Sequence, residues 1–378
     1  TTVASFESLG LSSSLTNATA QLGFSSPTDV QAAVIPAVLN RNSVIFASQT
    51  GTGKTLAYML PLVDLLRRDR MGSGTLTRLR RPRSLVIVPT RELGDQTHGV
   101  ARRLASRAPF RCSSICDRTQ RTLSYDSDLL VATPGRLEEY VGRKLVFLTD
   151  VRYVVVDEAD TMFDNENGFG PTVRKILQPL RARDGQADQC QYILVSASVS
   201  RSTEEMLQGE FPSAKWIRTN ALHRSSPNLR QHFYNVSGEN KLHVLENVLK
   251  TAENQNRGAS MSTIVFCNSV SSCRAVGHHL TEAGLQVSSY HGEIPPAKRS
   301  EEFNMFLNGD RSILVTTDLA SRGLDTTFVG HIVMFDFPTT ATDYLHRAGR
   351  TARAGSSGMV SSLVTKKDMD LAQSVKVS

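Results

Sequence analysis

Ser48-Gln49-Thr50-Gly51-Thr52-Gly53-Lys54-Thr55 lies between Val44-Ile45-Phe46-Ala47 and Leu56-Ala57-Tyr58-Met59-Leu60-Pro61-Leu62. The first flank is a short apolar run that reads as a buried strand, and the second reads as the start of a helix, so the octapeptide is a strand-to-helix loop. Gly51 and Gly53 let the backbone curl until successive N–H groups face one anion, and the following helix adds the positive end of its dipole. Lys54 brings a point charge to the outer phosphates, and the Thr55 hydroxyl can reach Mg2+. Thr50, Gly51, Thr52, Gly53, Lys54 and Thr55 are therefore the candidate cradle of a nucleoside triphosphate. Ser48 stands where the pattern G-x-x-x-x-G-K-[ST] has its first glycine. The competing reading is a Gly/Thr-rich turn that happens to end in lysine.

At 378 residues the chain exceeds what one ordinary core supports, and two domains are expected. A hydrophobic content of 40% with 21% charged residues is that of a soluble globular chain. No apolar run approaches the length of a membrane span and no stretch reads as a signal peptide, so no membrane partner is expected. Cys112, Cys116, Cys190, Cys267 and Cys273 are odd in number and scattered, which suits a reducing intracellular compartment better than a disulfide framework. The formal net charge is +7, and arginine outnumbers lysine 33 to 10. Guanidinium forks suit phosphate, although a genome's base composition produces the same bias. The chain starts at Thr1, which admits a removed targeting segment or a trimmed N-terminus.

A helix is expected from about Leu15 to Leu22, then a turn, then a second helix capped by Thr28. Short apolar strands follow at Val44–Ala47, Ser84–Val88, Leu129 onward, Val151–Asp157 and Tyr192–Ser196, with helical stretches between them. That alternation predicts a parallel, doubly wound sheet whose ligands gather at the carboxyl ends of the strands. Arg78, Arg80, Arg81 and Arg83 fall in a Gly/Ser/Arg loop, read as a solvated connection or a nucleic-acid contact. The rhythm breaks at Asn220–Asn228 and restarts with strands near Leu229–Val236, Thr263–Cys267, Val287–Tyr290, Ile313–Thr317 and Ile332–Phe335. The expected organisation is a first domain over residues 1–220, a linker over 221–228 and a second α/β domain over 229–378. The second domain has no G-x-x-x-x-G-K-[ST] of its own.

Asp157-Glu158-Ala159-Asp160 follows the strand Tyr153-Val154-Val155-Val156, which puts two carboxylates where the phosphate loop also opens. Asp157 can hold Mg2+, and Glu158 can orient or deprotonate the water that attacks a γ-phosphate. A helix N-terminal acid cluster is the bland alternative. His346-Arg347-Ala348-Gly349-Arg350-Thr351-Ala352-Arg353 groups three arginines in the second domain. It is either a solvated basic turn or a source of arginine fingers, Arg350 and Arg353, that act when the domains close.

Taken together, these motifs resemble the DEAD-box RNA helicases along almost the whole chain. Gly23-Phe24-Ser25-Ser26-Pro27-Thr28-Asp29-Val30-Gln31, with Phe6 upstream, is similar to the family's adenine-reading segment. It implies that Gln31 reads the adenine edge, that Phe6 stacks on the ring and that ATP is preferred to GTP. The resemblance also implies two tandem RecA-like domains, each a mostly parallel doubly wound sheet flanked by helices, with ATP and Mg2+ as cofactors. Pro89, Thr90, Arg91, Thr133, Gly135 and Arg136 take the place of segments that hold the RNA backbone, and Arg299 and Thr316 are implied second-domain RNA contacts. Asp325 is an implied ribose contact. Asp160, Ser196, Ser198, His346 and Arg347 fall in motifs implied to couple hydrolysis to strand separation.

Three departures bear on RNA gripping. The paired glycines of the family are absent before Thr133, where Cys116-Asp117 stands, and the interval from Pro89 to Thr133 is short. Pro296 replaces a glutamine three residues before Arg299. The run Thr161–Asn167 is slightly long. The expected function is ATP-dependent RNA unwinding or ribonucleoprotein remodelling in ribosome assembly. A low-turnover ATP-dependent RNA clamp is the alternative, and a P-loop kinase or GTPase explains neither Gln31 nor the second domain. Backbone contacts carry no sequence information, so a protein partner or a pre-ribosomal particle with its ribosomal RNA is expected to choose the target. The core is expected to be monomeric and to work in the mitochondrial matrix sooner than the nucleolus or cytosol.

Overall fold

The computed structural model describes residues 5–48, 52–73, 77–116, 126–163, 169–183, 185, 189–196, 201–218, 229–255, 261–318, 326, 328–352 and 357–376. The chain divides into two compact units, Thr1–Leu222 and His223–Ser378. The expected linker, 221–228, lies outside the described residues.

In unit 1 the strands are β1 (Val44–Ala47), β2 (Ser84–Ile87), β3 (Cys112–Ser114), β4 (Leu129–Ala132), β5 (Tyr153–Val156), β6 (Gln191–Ser196) and β7 (Lys215–Ile217). They lie in the order β3-β4-β2-β5-β6-β1-β7, and every pairing among the described residues is parallel. Helices α1 (Ser13–Gln21), α2 (Asp29–Leu39), α3 (Lys54–Ser73), α4 (Arg91–Ala105), α5 (Pro134–Gly142), α6 (Ala159–Phe163), α7 (Gly170–Arg181) and α8 (Arg201–Glu210) occupy the connections. Both faces of the sheet are covered, and the pleat sorts the strand residues between them. Val44, Phe46, Val86, Val131 and Val155 belong to one apolar cluster, whereas Ile45, Leu85, Leu130, Val154 and Val156 belong to the other.

Unit 2 repeats the plan with β8 (Leu229–Asn235), β9 (Thr263–Phe266), β10 (Val287–Tyr290), β11 (Ile313–Thr316), β12 (His331–Met334) and β13 (Gly358–Val364), in the order β10-β11-β9-β12-β13-β8. These pairings are also parallel. Its helices are α9 (Lys241–Gln255), α10 (Val270–Glu282), α11 (Pro296–Leu307), α12 (Ala341–Ala348) and α13 (Met369–Lys376). Ile264, Phe266, Leu314 and Ile332 face one cluster, and Val265, Val315 and Val333 face the other. The doubly wound parallel architecture is thus present in both units. Among the described residues, no helix is long and apolar enough to cross a membrane.

The arginine loop after α3 is held by unit 1 itself. Arg83 is buried and donates to Asp128 at 3.1 Å and to the Leu66 carbonyl at 3.0 Å. Arg78 pairs with Asp150, and Arg81 lies over the Phe147 ring at 4.8 Å while donating to Thr149. Arg83 is therefore a bracing side chain, whereas Arg78 keeps 66% exposure and Leu79 71%, as a solvated connection does.

Candidate active site

In unit 1, register brings the predicted groups to one edge of the sheet. Ala47 pairs with Ser196 and Val156 with Leu194, so the chain leaves β1, β6 and β5 side by side, with strands spaced about 4.8 Å apart. The Ser48 N–H donates to the Ser196 carbonyl at 3.3 Å, which ties the start of the phosphate loop to the end of β6. Lys54 Nζ turns back onto the Ser48 carbonyl, and the Ser48 and Thr52 hydroxyls share a 2.5 Å bond. The serine that departs from the usual pattern is thus a brace of the loop. Thr50, Gly51 and Ser198 lie outside the described residues, whereas Thr52, Gly53, Lys54 and Thr55 are half-buried.

Asp157 is 4% exposed, and both of its oxygens are engaged. Oδ2 accepts the Tyr58 phenol at 3.0 Å and Oδ1 accepts the Glu158 N–H at 2.9 Å. Burial pushes this carboxyl above its usual range, against the opposing pull of Lys54 and the Tyr58 bond. Glu158 is half-buried with φ of 51°, a left-handed backbone that costs a non-glycine residue on the order of 1 kcal/mol. Asp160 is buried, and its Oδ1 accepts the Thr161 N–H at 3.1 Å at the start of α6.

Gln31 sits beside the phosphate loop for a local reason. Thr28 caps α2 in a capping box, its hydroxyl accepting the Gln31 N–H while Gln31 Oε1 accepts the Thr28 N–H at 3.0 Å. Gln31 Nε2 donates to the Gly53 carbonyl at 3.2 Å. Gly53 has φ of 85°, and a Cβ there would come within 2.4 Å of Gln31 Nε2, so glycine is required on two counts. Gln31 is itself 4% exposed, and these bonds engage one N–H and one lone pair of its amide. Phe6 is 3% exposed and belongs to the core cluster with Leu15 and Val34. Its ring is core packing here, and no face is offered for stacking.

The residues expected to hold RNA backbone in unit 1 fall at two adjacent helix starts. Ile87 pairs with Ala132, so β2 and β4 end together, Thr90 heads α4 and Thr133 heads α5. Two neighbouring helix N-termini of this kind favour phosphate oxygens. Thr90 Oγ1 accepts the Leu93 N–H at 3.2 Å, Pro89 is buried and Gly135 is exposed. Arg91 pairs with Asp95 at 3.5 Å, and Arg136 lies over Tyr140 at 4.9 Å while pairing with Glu139 and donating to the Ile115 carbonyl at 3.3 Å. Cys116 lies two residues beyond β3 and packs on α4, where a Cβ on Gly94 would lie 2.3 Å from its Sγ. Burial pushes this thiol up to about 11.

In unit 2 one expectation fails. Thr316 is fully buried, and its hydroxyl donates to the Tyr290 carbonyl at 2.7 Å, so its side chain cannot meet RNA. Half-buried Thr317 follows it at the strand end. Arg299 lies over the Tyr290 ring at 5.6 Å. Pro296 occupies the first turn of α11, where a missing N–H costs nothing and a fixed φ suits the helix, so a helix start has replaced the side-chain amide. Asp325 and Arg353 lie outside the described residues. Arg350 is buried, its Nε donating to the His346 carbonyl at 3.2 Å, and His346 is buried as well. Arg347, 1% exposed, donates to Asp318 at 2.6 and 2.7 Å, to the Asp336 carbonyl at 2.8 Å and to Asn268 Oδ1 at 2.7 Å.

Two family models match this chain, the DEAD/DEAH box helicase over residues 28–206 and the helicase conserved C-terminal domain over residues 240–355. The chain belongs to the DEAD-box RNA helicases. It is 42% identical to DEAD-box ATP-dependent RNA helicase 39 of Arabidopsis thaliana, a match that covers 99% of this chain and 61% of that protein. It is 33% identical to the ATP-dependent rRNA helicase RRP3 of Encephalitozoon cuniculi, over 98% of this chain and 88% of that one. S. cerevisiae Dbp5, solved bound to RNA and ADP BeF3, shares the fold at a TM-score of 0.82 and 24% identity, covering 99% of this chain and 93% of that chain. Both units are accordingly RecA-like.

The oxygen donors of this DEAD-box chain fit Mg2+. Thr55 and the buried Asp157 offer hard ligands, and among the described residues no cluster of three His, Cys, Asp or Glu side chains could hold a metal alone. Such a pair suits an ion that keeps water and phosphate oxygens as its other ligands. Tyr58, Asn268 and Asp336 have no role assigned by the motifs. Tyr58 is a polar interruption of an apolar helical run, a signal that was available, whereas the contacts of Asn268 and Asp336 with Arg347 join segments far apart in sequence.

Proposed function

We propose that this chain couples ATP binding and hydrolysis to local RNA duplex unwinding or ribonucleoprotein remodelling. The observation that carries this reading is the common strand-end edge of unit 1, where the Lys54 loop, the buried Asp157 and the Thr90 and Thr133 helix starts all emerge. Thr50, Gly51, Thr52, Gly53 and Lys54 cradle the phosphates. Thr55 and Asp157 hold Mg2+, which supplies charge neutralisation on the phosphates when bound. Glu158 orients the attacking water. Pro89, Thr90, Arg91, Thr133, Gly135, Arg136 and Arg299 meet the RNA backbone, and Arg350 and Arg353 stabilise charge on the transferred phosphoryl group. Ribosomal RNA is the proposed substrate, because a relative matched over most of its length is named an rRNA helicase.

Purified chain should hydrolyse ATP faster with a structured ribosomal RNA fragment than without it. An ATPase rate unmoved by RNA would overturn the reading. Gln31→Ala should lower the preference for ATP over GTP by about tenfold or more, since a site that pairs with a base edge rejects the base lacking the match. Competition between the two nucleotides measures this, and a parent that already accepts GTP as readily as ATP would remove Gln31 from base reading.

A further inference from the structure

Tyr58 interrupts the apolar stretch Leu56-Ala57-Tyr58-Met59-Leu60 of α3, one turn beyond Lys54 and Thr55. Its side chain is fully buried in the cluster that holds Phe46 and Val155. Phenylalanine would fill that space equally well and would spare the chain a buried hydroxyl, which is costly unless it finds a partner. Its phenol donates to Asp157 Oδ2 at 3.0 Å and also meets the Thr97 and Thr55 hydroxyls.

The geometry of the carboxylate shows what that bond does. Asp157 Oδ1 is held by the Glu158 N–H at 2.9 Å, and the side chain is too buried for water to substitute for a lost donor. One bond leaves a carboxylate free to turn about its terminal torsion, where preferences are broad. Bonds at both oxygens fix its plane and leave its remaining lone pairs pointing in set directions. The phenol is carried by the same helix that carries Lys54 and Thr55, so the acid is registered against the phosphate loop through one rigid element.

We propose that Tyr58 is a positioning residue that fixes the Asp157 carboxylate and thereby the place at which the Mg2+ of a bound nucleotide is held. The proposal rests on the nucleotide-site reading given above. Loss of a donor that orients a metal ligand typically weakens metal affinity or activity about 10- to 100-fold.

Tyr58→Phe tests it, with Tyr153→Phe as the matched control. Tyr153 lies on β5, the strand that leads to Asp157, and its phenol donates to a different carboxylate, Asp69, at 2.6 Å. Both variants lose one phenol–carboxylate bond from the same unit, fully buried at Tyr58 and part-buried at Tyr153, and thermal melts report what each loses in stability. Mn2+ binding in the presence of ADP, read by electron paramagnetic resonance, should weaken about tenfold or more in Tyr58→Phe and stay at the parent value in Tyr153→Phe. The Mg2+ concentration for half-maximal ATP hydrolysis should rise by a similar factor, with the rate approaching the parent's at saturating Mg2+. Nucleotide affinity in EDTA should not change. Parent-like Mn2+ and Mg2+ dependence in Tyr58→Phe would overturn the proposal, as would an equal shift in Tyr153→Phe. A parent protein that binds no Mn2+ with ADP would overturn the nucleotide-site reading itself.

Discussion

Glu158→Gln should lower ATP turnover about a thousandfold while nucleotide binding survives. The side chain is half-buried at the end of β5, next to a carboxylate already committed to Tyr58 and to the Glu158 main chain. Glutamine keeps the length, volume and polarity of glutamate, and it adopts the same left-handed backbone at no greater cost, so the turn after Asp157 is kept. What is lost is the charged acceptor proposed to orient the attacking water and draw on its proton. Removing one preorganised group of this kind typically raises the barrier by about 4 kcal/mol, which is the thousandfold. Single-turnover hydrolysis together with fluorescent-nucleotide affinity separates the two effects. Hydrolysis at the parent rate would remove Glu158 from the chemistry. Lys54→Ala should lose binding as well, because its charge is the one proposed to meet the phosphates.

The parts of this molecule that were legible in sequence are those whose physical cause is local. β1, β2, β5 and β6 are buried along their whole length, so each reads as an apolar run against polar loops, and each ends at a residue that sequence reasoning could place at the site. β3, β7 and β13 escaped notice for a matching reason. β3 reads Cys-Ser-Ser and β7 reads Lys-Trp-Ile, both on an edge of the sheet with one neighbour, and β13 carries Ser361 and Ser362 in its middle. A three-residue run such as β3 or β7 is too short for its apolar signal to be told from a loop.

The same division runs through the site. Thr28 and Gln31 are three residues apart and could be matched to a capping pattern, but the bond from Gln31 to Gly53 spans the chain from α2 to the phosphate loop and needed the fold. Thr316 shows the converse error. A motif places a residue to within one position, and in a strand one position is the difference between the two faces. Its hydroxyl turned inward to Tyr290, a fact that only the register of β10 against β11 decides.

The largest stability effect should come from Arg347. Its guanidinium is 1% exposed and ties together four places: both oxygens of Asp318 after β11, the Asp336 carbonyl after β12, Asn268 after β9, and the Phe266 ring 5.4 Å beneath it. β11, β9 and β12 are adjacent in the sheet, so one side chain from α12 clamps three neighbouring strand ends. Arg347→Ala would leave Asp318 without its fork and the Asn268 and Asp336 acceptors without their donors. Breaking one partner of a buried pair costs about 3–5 kcal/mol, and the lower end applies here because Asp318 keeps 38% exposure and water can take part of the load. Arg347→Lys keeps the charge but offers a point where a planar fork is needed, so it should still cost on the order of 1–2 kcal/mol. Hydrogen exchange in the full chain can check both, with protection falling in β9, β11 and β12 and holding in β1 and β5. Since its bonds already engage Nε and both terminal nitrogens within unit 2, Arg347 has little left for a phosphate, and its loss should act through the strand ends it clamps. Unchanged protection in unit 2 of Arg347→Ala, accompanied by lost ATPase, would reverse that assignment and make Arg347 a ligand-facing side chain.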